Sequence, residues 1–308
     1  MRIVFLGNPV FALPTLSSLS NSRHEVVAVV SSADTAKGRG MKQTAGPVAS
    51  FARQSEIPLL QPESLKSESL AASLQELNAD LFVVVAFKIL PRTLLGIPKQ
   101  GCINLHGSLL PEYRGAAPIQ KALLNGDSVT GLTTFILAPT VDTGDLLLTE
   151  KIVIYPDDDY GSLSYRMSHL GASLIMKTLD GIEHDTLIPT PQDDSIASKA
   201  PKIKPDMCHI RWDKSAVRIR NLVRALSPAP SAYTFIKGRR IKIFKTMFSA
   251  RSPASPGEII NAGKNTLVVS CGSGSLELSD VQLEGKRRMT VAEFLQGFKL
   301  SSGERFGA

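Results

Sequence analysis

The run Leu81-Phe82-Val83-Val84-Val85-Ala86-Phe87 restricts the fold more than any other stretch of this chain. An apolar run with no polar position inside it fits a strand buried on both faces. Such a strand needs a helical layer above and below it, hence a mostly parallel sheet. Arg2 to Leu6 and Val26 to Val30 also read as strands, with Phe11, Leu13, Leu16 and Leu19 at helical spacing between them. Further helices are expected over 47–55 and 67–77, with a short strand at 58–60. The expected fold is α/β, a doubly wound and mostly parallel sheet. The turn Gly7-Asn8-Pro9 lacks the G-x-G-x-x-G of dinucleotide sites, and no G-x-x-x-x-G-K-[ST] occurs. Neither NAD nor ATP is expected, which disfavours a nicotinamide oxidoreductase.

In open α/β sheets, chemistry collects where strands end. Cys102 to Leu105 reads as a buried strand that runs into a loop punctuated by Gly107, Pro111 and Gly115. Asn104 and His106 lie two residues apart and so share a face of that strand. An amide donor beside an imidazole, with loop N–H groups nearby, can stabilise an oxyanion and move a proton. The same pair would also serve plain strand-end hydrogen bonding. A second glycine-containing loop, Thr140-Val141-Asp142-Thr143-Gly144-Asp145, brings carboxylates and favours the chemical reading. The three cysteines are dispersed without a C-x-x-C, and the five histidines form no local cluster, so no metal is expected.

The motif Asn104-x-His106-x-Ser108-Leu109-Leu110-Pro111-x-Tyr113-Arg114-Gly115, followed by Val141-Asp142-Thr143-Gly144-Asp145, resembles the folate-dependent formyltransferases. Within them it is most similar to the branch that formylates methionyl-tRNA. The resemblance runs from Phe5-Leu6-Gly7 to Glu284-Gly285-Lys286-Arg287-Arg288-Met289 and Phe294-Leu295-Gln296-Gly297. It implies a Rossmann-like core and formyl transfer from 10-formyltetrahydrofolate to the amine of initiator methionyl-tRNA. By motif position, Asn104 and His106 become donors to the oxygen that turns negative. Asp142, rather than its rival Asp145, orients the imidazole and helps to remove the amine proton. A carboxylate beside His106 is expected to raise its pKa. Cys102 is expected to pack as a small apolar residue, with no covalent formyl-enzyme. The pterin is expected to be held by backbone groups of Ser108, Leu109, Leu110 and Pro111 and by the Asp142 loop, with Phe87, Ile89 and Leu90 as its wall. Two places depart from the family pattern. Ala86-Phe87-Lys88-Ile89-Leu90-Pro91 is one residue shorter than the usual Ala-Tyr-Gly-x-Ile-Leu-Pro, and Ala229 stands between prolines where the family carries Trp.

Downstream, strands at 130–137 and 146–154 are expected to form an antiparallel pair at the sheet's edge, covered by a helix over 160–179. The proline-containing segment 188–205 reads as a linker between a catalytic domain, 1–187, and a second domain, 206–308. The second opens with a helix over 215–226, with Val217, Leu222, Val223 and Leu226 as its buried stripe. Five short strands then suit a small closed barrel, OB-fold-like. Residues 205–308 hold 17 Lys and Arg against eight Asp and Glu, a balance of +9, while residues 1–204 stand at −2. That asymmetry suits a domain that meets nucleic acid, although a merely well-solvated basic domain would share it. Asp34 to Gly46 reads as a mobile basic loop carrying Lys37, Arg39 and Lys42. The resemblance implies that this loop reaches the end of the tRNA acceptor stem, with Arg39 foremost. No membrane span or signal peptide is read, so a cytoplasmic protein is expected, acting as a monomer. An amino-sugar formyltransferase would need far less positive surface. An RNA-binding protein on a retired core would not be expected to retain Asn104, His106 and Asp142.

Overall fold

The computed structural model describes residues 1–37 and 42–307. They divide into two compact units: Met1–Pro118, Val129–Val153 and Ser164–Pro201 form the first; Ile119–Ser128, Ile154–Leu163 and Lys202–Ala308 form the second. Along residues 1–183 the elements are β1 (Arg2–Gly7), α1 (Leu13–Ser20), β2 (Glu25–Val30), β3 (Thr35–Lys37), β4 (Lys42–Thr44), α2 (Pro47–Gln54), β5 (Leu59–Leu60), α3 (Glu68–Glu76), β6 (Leu81–Val85), α4 (Arg92–Leu95), β7 (Cys102–His106), α5 (Pro118–Asn125), β8 (Val129–Ile136), β9 (Leu146–Val153) and α6 (Tyr160–Glu183). The first unit is built on a sheet in the order β5-β2-β1-β6-β7-β8-β9. Pairing is parallel from β5 through β7 and antiparallel from β7 to β9.

All five residues of β6 are buried, as a strand covered on both faces requires. It ends at Val85, two residues before its expected end, because Ala86 turns to φ +48 and cannot continue a ladder. On one face, Val4, Leu6, Phe82, Val84 and Cys102 pack with Leu70 and Leu74 of α3 and Leu94 of α4. On the other, Leu105 of β7 meets α6 at Gly171, where an added Cβ would stand 2.5 Å from Leu105 Cδ2. A glycine is therefore what lets this helix approach the strand. The Thr178 and Thr134 hydroxyls, 2.8 Å apart, join α6 to β8. The helix runs on to Glu183, a turn past its expected end at Leu179. Within 34–46, the expected loop includes an antiparallel pairing of β3 with β4, Lys37 opposite Lys42.

The segment 188–205 divides between the units at Pro201, and its first part is tied into the first unit rather than left free. Thr190 exchanges backbone hydrogen bonds with Leu146, Arg114 N–H donates to Ser198 O, and Ala200 N–H donates to Arg114 O at 2.7 Å. Prolines remove some donors from such a segment, but the intervening peptide groups still need partners. The loops after β7 and before β9 supply them.

The second unit contains α7 (Ala216–Leu226), β10 (Ala232–Ile236), β11 (Arg239–Ser249), β12 (Ile259–Ala262), β13 (Leu267–Ser270), β14 (Ser275–Leu283), β15 (Met289–Thr290) and α8 (Val291–Gly297). Its sheet is antiparallel in the order β10-β11-β14-β13-β12, with β15 on β14. Lys237 and Gly238, both at positive φ, make the two-residue turn between β10 and β11. Ser215 caps α7 by accepting the Arg218 N–H at 3.3 Å. The buried stripe of α7 is Ala216, Ile219, Val223 and Leu226, and Val217 is 55% exposed. Val217 fails the expected stripe because the face is set by spacings of three and four from Ile219, not by hydrophobicity alone. No helix among the described residues is long and apolar enough to cross a membrane.

Ile219→Ala is expected to cost about 2–5 kcal/mol of stability, whereas Val217→Ala should stay within about 0.5 kcal/mol. Urea unfolding of the two variants checks this, and equal losses would contradict the observed face.

Candidate active site

The site begins where β7 ends. Asn104 pairs with Val84 of β6 and Phe135 of β8, and His106 pairs with Thr133. The strand is thus held from both sides through Leu105, and by β8 alone at its last residue. Asn104 is half-buried, and none of the described residues hydrogen-bonds its side-chain amide. His106 is 5% exposed, with its ring edge-on to Phe135 at 6.4 Å between centroids.

The imidazole is hydrogen-bonded at Nε2 and faces a carboxylate at Nδ1. Nε2 lies 3.0 Å from the carbonyl oxygen of Tyr113, whose backbone is at φ +60. A carbonyl only accepts, so Nε2 carries the hydrogen and donates it. Nδ1 lies 3.8 Å from Asp142 Oδ2. In the neutral ring that tautomer leaves the Nδ1 lone pair facing the carboxylate. Burial lowers the His106 pKa from its ordinary value, against opposing contributions from the Asp142 charge and the Tyr113 carbonyl. This corrects the expected rise: the carboxylate raises the value as anticipated, but removal from water outweighs it. The resting ring is neutral.

Asp142 is the carboxylate brought to the imidazole; Asp145 is exposed. Asp142 sits at φ +53, and its Oδ2 accepts the Gly115 N–H at 2.8 Å. Gly144, two residues on, has no room for a side chain, since a Cβ there would stand 1.7 Å from Ile136 O. The Asp-Thr-Gly order in this loop is therefore a steric requirement as much as a chemical one.

The loop after β7 is fixed by residues that the sequence reading passed over. Thr133, fully buried, donates to Ser108 O at 2.8 Å and accepts the Leu110 N–H at 3.0 Å. Its place in an alternating strand was the only signal it offered. Gln192 donates to Asp142 O and Gly144 O and accepts from Arg114, and nothing in its proline-containing segment pointed to it.

The expected pterin-binding residues fall into two sets. Ser108 is fully buried, its hydroxyl donating to Glu112 O at 2.6 Å. Leu110 and Pro111 are buried, and Leu109 packs on the β8 backbone at Gly131. These residues shape the loop. At the end of β6, Ile89 is 72% exposed beside half-buried Phe87 and buried Leu90, an apolar surface open to a ligand. Burial pushes the Cys102 thiol up to about 12, so it packs as a small apolar group. Arg39 lies outside the described residues. Of Lys37 and Lys42, the structure describes the backbone pairing.

Comparison with known proteins agrees with this architecture. Residues 1–179 match the formyl transferase family, and residues 202–299 match the formyl transferase C-terminal domain. Methionyl-tRNA formyltransferase of Geobacter sulfurreducens is 44% identical over 308 residues, covering 100% of this chain and 97% of that one. HypX from Aquifex aeolicus, solved in complex with tetrahydrofolic acid, gives a TM-score of 0.69 at 17% identity. That match covers 100% of this chain and 50% of HypX, so this chain spans about half of its length. Methionyl-tRNA formyltransferase from Clostridium thermocellum gives 0.56 at 14% identity, over 81% of this chain and 94% of that one. At such identities the structural likenesses speak for the fold alone.

A buried imidazole with a lowered pKa stays neutral at pH values where free histidine is protonated. Carbon-bound ring protons of His106 are expected to titrate below the ordinary 6.5. In Asp142→Asn the midpoint should fall further, because the charge that favours the cation is gone. A midpoint at or above 6.5 in the unaltered protein, read by NMR, would refute this account of the site.

Proposed function

The chain belongs to the formyl transferase family, and we propose that it transfers a formyl group from 10-formyltetrahydrofolate to the free amine of initiator methionyl-tRNA, making N-formylmethionyl-tRNA for translation initiation. The full-length match, with both family domains and with Asn104, His106 and Asp142 gathered at the end of β7, carries this reading.

Bound 10-formyltetrahydrofolate supplies the formyl carbon, with N10 as the nitrogen that leaves. The apolar surface of Phe87, Ile89 and Leu90 suits a flat pterin ring, and the largely buried Ser108-Leu109-Leu110-Pro111 run shapes the loop after β7, whose backbone groups are assigned to the pterin. The unengaged Asn104 amide is free to donate to the formyl oxygen as it becomes negative. One proton must pass from the attacking amine to the departing nitrogen. His106 is the base for it: neutral at rest, with a lone pair on Nδ1, and with Asp142 placed to stabilise the imidazolium once formed. The protonated ring then adds a positive charge near the oxyanion, an electrostatic contribution in place of the direct hydrogen bond that its motif position implies. No metal enters this scheme.

Residues 1–187 act as the catalytic domain and 206–308 as the tRNA-binding domain in this reading. The +9 balance of the last 104 residues supports the second assignment. So do guanidinium groups stacked on rings: Arg240 stands 4.7 Å over half-buried Tyr233, and Arg288 stands 4.5 Å over buried Phe244. Lys37, Arg39 and Lys42 are assigned to the acceptor end of the tRNA. The reading includes a monomer working in the cytoplasm, where its tRNA substrate is used.

Formyl transfer to charged initiator tRNA, with an elongator methionyl-tRNA and an amino-sugar nucleotide alongside, tests the reading. Asn104→Ala and His106→Ala are each expected to lower kcat/KM by about 100-fold or more, with folding preserved. Arg39→Ala should weaken tRNA binding and reduce its salt slope by about 1. Near-normal rates in both catalytic variants would sink the mechanism, and formylation of the sugar alone would discard the tRNA.

A further inference from the structure

Gln192 joins the two loops that build the site. Its Nε2 donates one hydrogen to Asp142 O at 2.9 Å and the other to Gly144 O at 2.8 Å. Its Oε1 accepts from Arg114 Nε at 3.0 Å and Nη2 at 2.7 Å. Carbonyls only accept and a guanidinium only donates, so the amide cannot be turned around without losing all four bonds. Both hydrogens and both lone pairs are therefore committed, and they fix a single orientation.

Those bonds bear on the reacting pair. Asp142 is a non-glycine residue at φ +53, a conformation that costs free energy unless its surroundings impose it. Gln192 brackets that residue and the one two places on, closing the Asp142-Thr143-Gly144 turn from outside. On its other side it grips Arg114, whose chain neighbours supply the remaining contacts. Tyr113 O receives the His106 Nε2–H, and Gly115 N–H donates to Asp142 Oδ2. Asp142 is the charged group that faces the imidazole, at 3.8 Å, a separation set by two loops rather than by a direct hydrogen bond. A pair held at that distance depends on the loops staying in register.

We propose that Gln192 is a positioning residue for formyl transfer: its amide holds the Asp142 turn against the Tyr113-Arg114-Gly115 loop and so keeps the carboxylate beside His106. The proposal rests on the reading of His106 and Asp142 as the proton-handling pair.

Gln192→Met keeps the stem without the amide, and Gln192→Ala removes both. If one fails to fold, the other decides. The expected result is a fall in kcat of about 10-fold to 100-fold, with KM for methionyl-tRNA and for 10-formyltetrahydrofolate changed far less. The His106 ring titration should move to lower pH, toward that of Asp142→Asn. Asp194→Asn, which breaks only the neighbouring exposed ion pair to Arg114, should leave both readouts unchanged. In the Asp142→Asn background, Gln192→Met should cost little more, because its effect runs through the carboxylate. An unshifted His106 titration, or a loss that adds in full to that of Asp142→Asn, overturns the proposal. Near-normal activity in Asp142→Asn itself would instead overturn the mechanism on which it rests.

Discussion

A strand buried on both faces has no place for a polar side chain except at its end. In the first unit, β6 and β7 are such strands, and the polar groups of the site stand at or beyond their carboxyl ends. Packing further back, from Phe82 and Val84 on one face to Leu105 against α6 on the other, leaves β7 no freedom to slip. A slip of one residue would turn Asn104 and His106 to the α6 face. The placement of Asn104 and His106 therefore depends on the register of buried apolar residues.

The electrostatics follow from the same burial. His106 gains a nearby carboxylate and a carbonyl partner, both of which favour its charged form, yet loss of water dominates. With Nε2–H given to Tyr113 O, the neutral imidazole keeps a lone pair on Nδ1. In the proposed reaction the carboxylate at 3.8 Å matters most once the ring has taken a proton, when an imidazolium would otherwise be stranded in a low-dielectric setting.

Loops alone do not hold such a site. Segment 188–201 lies along the loop after β7, exchanging backbone bonds at Arg114, and bonds the Asp142 turn through Gln192. What reads as a linker in one dimension works as a strap, because the peptide groups of two irregular loops need partners and this segment meets them.

The order of the elements, the buried β6 run, the antiparallel edge pair and the strand-rich basic region are legible in the chain because each rests on local periodicity and composition. Asn104, His106 and Asp142 are legible as candidates too, through strand period, the glycine-containing loop and motif position. The end of β6 at Val85 and the exposed face at Val217 were not legible, since they turn on a single dihedral and on which side of a helix meets the core. The direction of the His106 shift and the hydrogen bonds of Gln192 were also out of reach. A sequence shows which charges are present, but the balance of desolvation against attraction depends on distances between residues far apart in the chain. Sequence by itself determined the layers and the chemical groups; tertiary structure decided which nitrogen faces which oxygen, and how dry that contact is.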